Sequence, residues 1–206
     1  MNNAMLVLAS SSPAKRQLIR AIYGNKVILY APKFADSPPL RGSFRYAVAE
    51  AEKNALAKAL EASENFWNVL KKGAFLGADT VVFLDEEILG KPRSKEEAKK
   101  FLEKLRGRWH VVITGIAIIS KAPRAVRLNY SATHVLMRNY SEEEINYYLH
   151  TGEWKGKAGA YAIQGLGRIL VRGIIGCYYN VVGLPISLIH EELLSLGIKL
   201  FSGNYC

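Results

Sequence analysis

Apolar and polar positions change period along the chain, and the changes mark out its elements. The continuous apolar run "MLVLAS" (5–10) predicts a buried strand. "SSPAKRQLIRAIYG" follows at once: Ser12 can cap, Pro13 suits a first helical turn, and Gly24 can stop the helix. "KVILYAP" (26–32) predicts a second strand and "FADSPPLRGS" (34–43) a loop. From Ser43 to about Ala62 the pattern is helical and rich in alanine. "AFLGADTVVFL" (74–84) and "HVVITGIAIIS" (110–120) predict strands. The helix "SKEEAKKFLEKLRG" lies between them, with Ser94 and Glu97 as a capping box. "AVRLNYSATHVLMR" predicts a strand paired with its predecessor across "KAPR". "SEEEINYYLHTG" is a short helix with a second capping box at Ser141 and Glu144. A glycine-rich stretch, "GEWKGKAGAYAIQGLG", leads to two further strand-like runs, "RILVRGII" and "YYNVVGL", and to a last helix, "PISLIHEELLSLG". Strands alternate with helices before a long antiparallel pair, so the expected class is α/β with a mixed sheet.

Composition narrows this picture. The 206 residues, half of them apolar, suffice for one large core or two small lobes, and no low-complexity linker divides residues 1–206. No apolar run approaches the ~20 residues of a membrane span. The start, "MNNAMLVLASSSPAKRQ", is not a secretory signal. The expectation is a single cytoplasmic unit. Cys177 and Cys206 form no CxxC pattern and read as ordinary thiols. Lys and Arg number 28 against 18 Asp and Glu, a net charge of +10 that suggests an anionic partner. The charges are spread and form no basic tail, which argues against a nucleic-acid arm.

Five groups of polar residues require explanation. Asp79 sits inside an apolar run, where burial costs several kcal/mol unless the carboxylate is paired or bonded. It is either a structural cap at a strand end or a metal ligand or general base. Lys91 precedes Pro92, which extends it, and a short hairpin away from Asp79 it can carry phosphate charge. Asp85, Glu86 and Glu87 fall in the intervening turn and read as solvated. Ser10, Lys15 and Arg16 lie at the first strand-to-helix junction. The two cations oppose the helix dipole there, a conflict that a bound anion relieves. Neither GxxxxGK[ST] nor GxGxxG is present, so the junction is no P-loop or dinucleotide fingerprint. In "KAGAYAIQG", Lys157 and the small residues allow close backbone approach to a ligand, and Gln164 could read a base edge. The four histidines share no metal spacing, and no GxSxG supports a serine nucleophile.

Together, "LVLASSSPAKRQLI", "GADTVVFLDEEILGKP", "TGIAI", "GEWKGKAGAYAIQGLG" and "GCYYNVVGLPISLI" resemble the Maf family of nucleoside triphosphate pyrophosphatases over about Leu6 to Ile189. The resemblance implies a Maf/Ham1 (inosine triphosphatase-like) α/β fold: an elongated mixed sheet flanked by helices, with two lobes and a cleft between. It implies hydrolysis of a nucleoside triphosphate to the monophosphate and pyrophosphate, with Mg²⁺ or Mn²⁺, and a homodimer. The family's base falls on Asp79, its first-strand serine on Ser10, its KP lysine on Lys91 and its long-helix lysine on Lys53. Asp79 and the loop acid Asp36 are the implied metal ligands.

Two departures stand out. The family's SPRR reads Ser12-Pro13-Ala14-Lys15 here, leaving Lys15 as a point charge in place of a bidentate arginine. The loop acid, usually glutamate, is the shorter Asp36. Thr80 and Gln164 resemble the branch acting on dTTP and UTP, whereas Ala14, a third specificity position, matches neither branch. A neutral glutamine suits a pyrimidine edge. The implied substrates are therefore dTTP and UTP, with CTP and modified pyrimidine nucleotides as extensions. The competing reading is a nucleic-acid-binding or cell-division regulatory protein without efficient hydrolysis, resting on the +10 charge.

Overall fold

The computed structural model describes residues 4–34 and 41–201. Among these, seven strands form one mixed sheet: β1 (Met5–Ala9), β2 (Val27–Tyr30), β3 (Gly73–Leu84), β4 (Glu87–Leu89), β5 (Trp109–Lys121), β6 (Arg124–Met137) and β7 (Val171–Ile175). Their order is β2-β1-β3-β5-β6-β7, with β4 added to the far end of β3. β1 runs parallel to β2 and β3, while β3, β5 and β6 are antiparallel neighbours. The mixed α/β class is as the pattern predicts, and the large mixed sheet flanked by helices is as the resemblance implies.

Strand alternation assigns the layers. Leu6, Leu8 and Leu76 pack with Ile19 of α1 (Pro13–Tyr23) and with Ile189 and Leu193 of α6 (Ile186–Ser195). Val7, Ala9 and Phe75 face the other way, against Ala55, Ala59 and Ala62 of α2 (Phe44–Phe66). These layers form the first lobe. The second surrounds the far ends of β3 and β5. There α3 (Lys95–Leu105) and α4 (Glu142–Thr151) bury Phe101, Leu102, Tyr148 and Leu149 with Tyr140, Trp154 and Tyr161.

The long helix sits unusually close to the sheet. A Cβ on Gly77 would lie 1.9 Å from the Ala55 carbonyl oxygen, and one on Gly115 would lie 2.4 Å from the Ala51 carbonyl carbon. The backbone of Ala51, Ala55 and Ala59 lies against these glycines, so both surfaces are nearly bare backbone.

Two local expectations differ from what is observed. "YYNVVGL" is not a strand: Tyr178–Val182 forms the short helix α5. The Asn180 amide donates to the Val112 carbonyl and the Thr133 hydroxyl, and these tertiary bonds outweigh the β propensity of the run. At α3, Ser94 caps the Glu97 N–H, but the Glu97 carboxylate accepts from the Arg93 N–H, so only half of the capping box forms. The box at Ser141 and Glu144 is complete.

Candidate active site

The cleft arises from a gap in strand pairing. β1 ends where Ala9 meets Gly77, and β4 begins to pair only at Val82. Between them no described strand covers the same edge of β3, and Ala78, Asp79 and Thr80 face the cleft. The α1 N-terminus enters from the first lobe, and the segment carrying Lys157 and Gln164 closes the other side. Ligands of α/β sheets characteristically bind beyond the carboxyl ends of parallel strands, the position β1 gives this cleft.

Asp79 is buried and doubly bonded. Its Oδ1 lies 2.5 Å from Lys58 Nζ, and its Oδ2 accepts from Asn54 Nδ2 at 3.0 Å. Lys58 and Asn54 are one turn apart on α2, whose close approach over Gly77 and Gly115 brings both to the carboxylate. Asp79 pairs in register with Gly115, which leaves the space that α2 fills. Its polar environment answers the burial cost of the charge.

Most of the residues singled out in the sequence converge here: Ser10, Ala14, Lys15, Asp79, Thr80, Lys91, Lys157 and Gln164 line one cleft. Lys15 is buried and donates to the Ala78 carbonyl at 3.1 Å, on the strand edge left open between β1 and β4. Ser12 occupies the N-cap of α1, but its side chain makes no capping bond. Its N–H instead donates to the Ser10 hydroxyl at 3.2 Å. Thr80 shares a hydrogen bond with Thr114, which donates to the Asn180 carbonyl. The Gly159 N–H donates to the Gly90 carbonyl, tying the segment before Lys91 to the glycine-rich stretch.

Two residues of the expected set fall elsewhere. Lys53 lies on the outer face of α2, with its side chain 69% exposed and paired with Glu50 at 3.3 Å; Lys58 reaches Asp79 instead. At ~100° per residue, Lys53 is roughly 160–200° from Ala51 and Ala55, whereas Asn54 and Lys58 each lie roughly 60° from that buried stripe. The stripe was the signal that could have identified them. Arg16 does not line the cleft, and its Nε donates to the Ser10 carbonyl at 2.6 Å, bracing the β1–α1 junction. Asp36 lies outside the described residues, as does Cys206. Cys177 is half-buried with a free thiol. Glu87 is not simply solvated, since it pairs with Lys104 and Arg41, which hold its carboxyl below the usual range.

One wall carries a buried neutral pair. His110 Nε2 lies 2.8 Å from the hydroxyl of Tyr161, a cleft residue. Burial lowers the histidine to about 3 and raises the tyrosine, so both stay uncharged at neutral pH. No group of three or more His, Cys, Asp or Glu that could hold a metal occurs among the described residues. Among the described residues, four lysines, Lys15, Lys58, Lys91 and Lys157, share the cleft with one carboxylate, Asp79. Such a site favours a polyanion and offers one base beside it.

Comparison with known proteins agrees in kind. Residues 5–196 match the family described as Maf-like protein. A dTTP/UTP pyrophosphatase of Pyrococcus abyssi is 44% identical over 95% of this chain and 97% of its own length. A dTTP/UTP pyrophosphatase of Dictyoglomus thermophilum is 40% identical over the same shares. One of Caldicellulosiruptor saccharolyticus is 37% identical over 97% of this chain and 98% of its own length.

Proposed function

The chain belongs to the Maf family, and from that premise we propose that it is a nucleoside triphosphate pyrophosphatase acting on dTTP and UTP, with CTP and modified pyrimidine nucleotides as further substrates. The observation that carries this reading is the Asp79 carboxylate, held by Lys58 and Asn54 in a cleft with three further lysines. Relatives that carry the dTTP/UTP pyrophosphatase name match nearly end to end.

In the proposed reaction Asp79 accepts a proton from water as the water oxygen bonds to phosphorus. The bridging P–O bond between the α- and β-phosphates breaks, and its electron pair leaves on pyrophosphate. Lys15, Lys58, Lys91 and Lys157 oppose the phosphate charge, and the Ser10 hydroxyl and the α1 N-terminus accept the anion beside them. On the other wall Gln164 presents an exposed side-chain amide, which can accept from the N3–H and donate to O4 of thymine or uracil.

The donor chemistry fits a divalent cation. Mg²⁺ is commonly held by one or two carboxylates together with substrate phosphates, and among the described residues Asp79 is the carboxylate in the cleft. Asp79 would hold the ion, with Asp36 as the second acid implied by the resemblance. When bound, it supplies positive charge against the phosphate oxygens. We also propose a homodimer: Val126, Leu128 and Tyr130 are exposed along β6, and a sedimentation measurement of molecular mass tests it.

The test of the activity is product analysis on a panel of dNTPs, NTPs and 7-methyl-GTP with Mg²⁺ or Mn²⁺. dTTP and UTP should give monophosphate and pyrophosphate in preference to purine nucleotides. Orthophosphate with nucleoside diphosphate would contradict the reaction, and preferred cleavage of 7-methyl-GTP would contradict the base assignment.

A further inference from the structure

The loop that carries Gln164 is gripped from both sides by residues outside the cleft lining. Glu153 Oε1 accepts the Leu166 N–H at 2.8 Å, and Oε2 accepts the Gly167 N–H at 3.2 Å. These are the first N–H groups of the 3-10 turn Leu166–Leu170, a position that favours a carboxylate. From the other side, Arg168 Nη2 donates to the Gln164 carbonyl at 2.7 Å and Nε donates to the Gly165 carbonyl at 2.8 Å. Two consecutive carbonyls and the two following N–H groups are therefore held by one ion of each sign.

The space supports the same arrangement. A Cβ on Gly165 would lie 2.4 Å from Glu153 Oε2, so the carboxylate occupies the space that a side chain there would take. A Cβ on Gly167 would lie 2.7 Å from the Ala162 carbonyl oxygen, so the loop folds tightly upon itself. Glu153 has a firm base: it follows the left-handed C-cap Gly152 of α4, its N–H donates to Thr151 Oγ1, and its neighbour Trp154 is buried with Nε1 bonded to the Leu149 carbonyl. The Gln164 side chain, by contrast, makes no hydrogen bond among the described residues, so the backbone clamp fixes the point from which the side chain projects and leaves its amide free for a ligand.

We propose that Glu153 and Arg168 are positioning residues for base recognition: they hold the Gln164 loop so that pyrimidine triphosphates are selected, and they take no part in phosphate chemistry. The inference rests on the reading of Gln164 as the base-contacting residue. An exposed glutamine on a free loop would spend binding energy on ordering itself, and preorganisation removes that cost.

The experiment compares wild type, Glu153→Gln, Arg168→Met and Gln164→Ala on dTTP, dGTP and abasic 2′-deoxyribose 5′-triphosphate, with thermal unfolding recorded for each. Glu153→Gln leaves one acceptor for two donors. It should lower kcat/KM for dTTP about tenfold, mainly through KM, and reduce the dTTP:dGTP preference. Turnover of the abasic triphosphate should stay within about twofold of wild type, which a general structural defect would not allow. Arg168→Met should act in the same direction and replaces Glu153→Gln if that variant does not fold. A parallel loss on dTTP and the abasic compound, or an unchanged dTTP:dGTP preference, overturns the clamp. If Gln164→Ala alone leaves that preference intact while the clamp variants reduce it, the loop reads the base through another residue: the Gln164 reading falls and the clamp stands. If Gln164→Ala alone reduces it, the reverse holds.

Discussion

On the Asp79 wall of the cleft the polar side chains are buried and bonded to one another; on the Gln164 wall the side chain proposed to read the base is exposed and only the backbone is held. The first arrangement comes from regular structure. A stripe of alanines on α2 lies against Gly77 and Gly115, and the close approach delivers Asn54 and Lys58 to a strand carboxylate. The second comes from a tight loop tied down by Glu153 and Arg168. Phosphate chemistry is common to every nucleoside triphosphate, so the rigid wall can serve it unchanged. Base recognition is a separate demand, and a loop can vary without disturbing the sheet.

Substitutions can break this contrast. Removing the cation from the rigid wall should have the largest effect. Lys58→Met leaves Asp79 buried without its ion pair, so turnover should fall about 100-fold or more. Stability should fall by about 3–5 kcal/mol, seen in denaturant unfolding. Gly77→Ala would push a methyl group into the α2 backbone; overpacking of about 1–3 kcal/mol should lower Tm, and kcat should drop with KM little changed. On the loop wall, Gln164→Ala should cost about tenfold in kcat/KM for dTTP with no change in Tm. Lys53→Ala, on the solvent face of α2, should leave both activity and stability within about twofold of wild type.

A pH measurement probes the neutral pair behind the cleft. His110 is held at about 3 by burial, below its unfolded value. The unfolded chain therefore binds the extra proton first as pH falls. The histidine's contribution is intact above about 6.5 and is lost progressively towards about 3. Replacing His110 by Phe should flatten the acid limb of the stability curve across this window, and equilibrium unfolding at several pH values would detect it.

Much of this organisation was legible in the residues. The first strand-to-helix junction, the aspartate inside an apolar strand, the lysine before Pro92 and Gln164 all lie in one cleft. What escaped was set by tertiary geometry. Lys53 and Lys58 are equivalent in composition, and only the phase of the alanine stripe separates the solvent face from the sheet face. "YYNVV" has the composition of a strand, yet buried Asn180 bonds fix it as a helix. The Glu153 clamp joins residues 13 and 14 positions apart through backbone N–H groups, which no side-chain pattern announces. Arg16, read beside Lys15 at the helix N-terminus, donates its Nε–H to the Ser10 carbonyl, a bond its position in the sequence does not announce.

The central claim is that the buried aspartate activates water. Its most direct test is pyrophosphate release from dTTP by wild type and by Asp79→Asn, with nucleotide binding measured in parallel. The account predicts release by wild type and a loss of about 1000-fold or more in the variant, which still binds dTTP. Release by a folded Asp79→Asn variant at a rate near wild type would contradict it, and would leave Asp79 as a structural partner of Lys58 and Asn54.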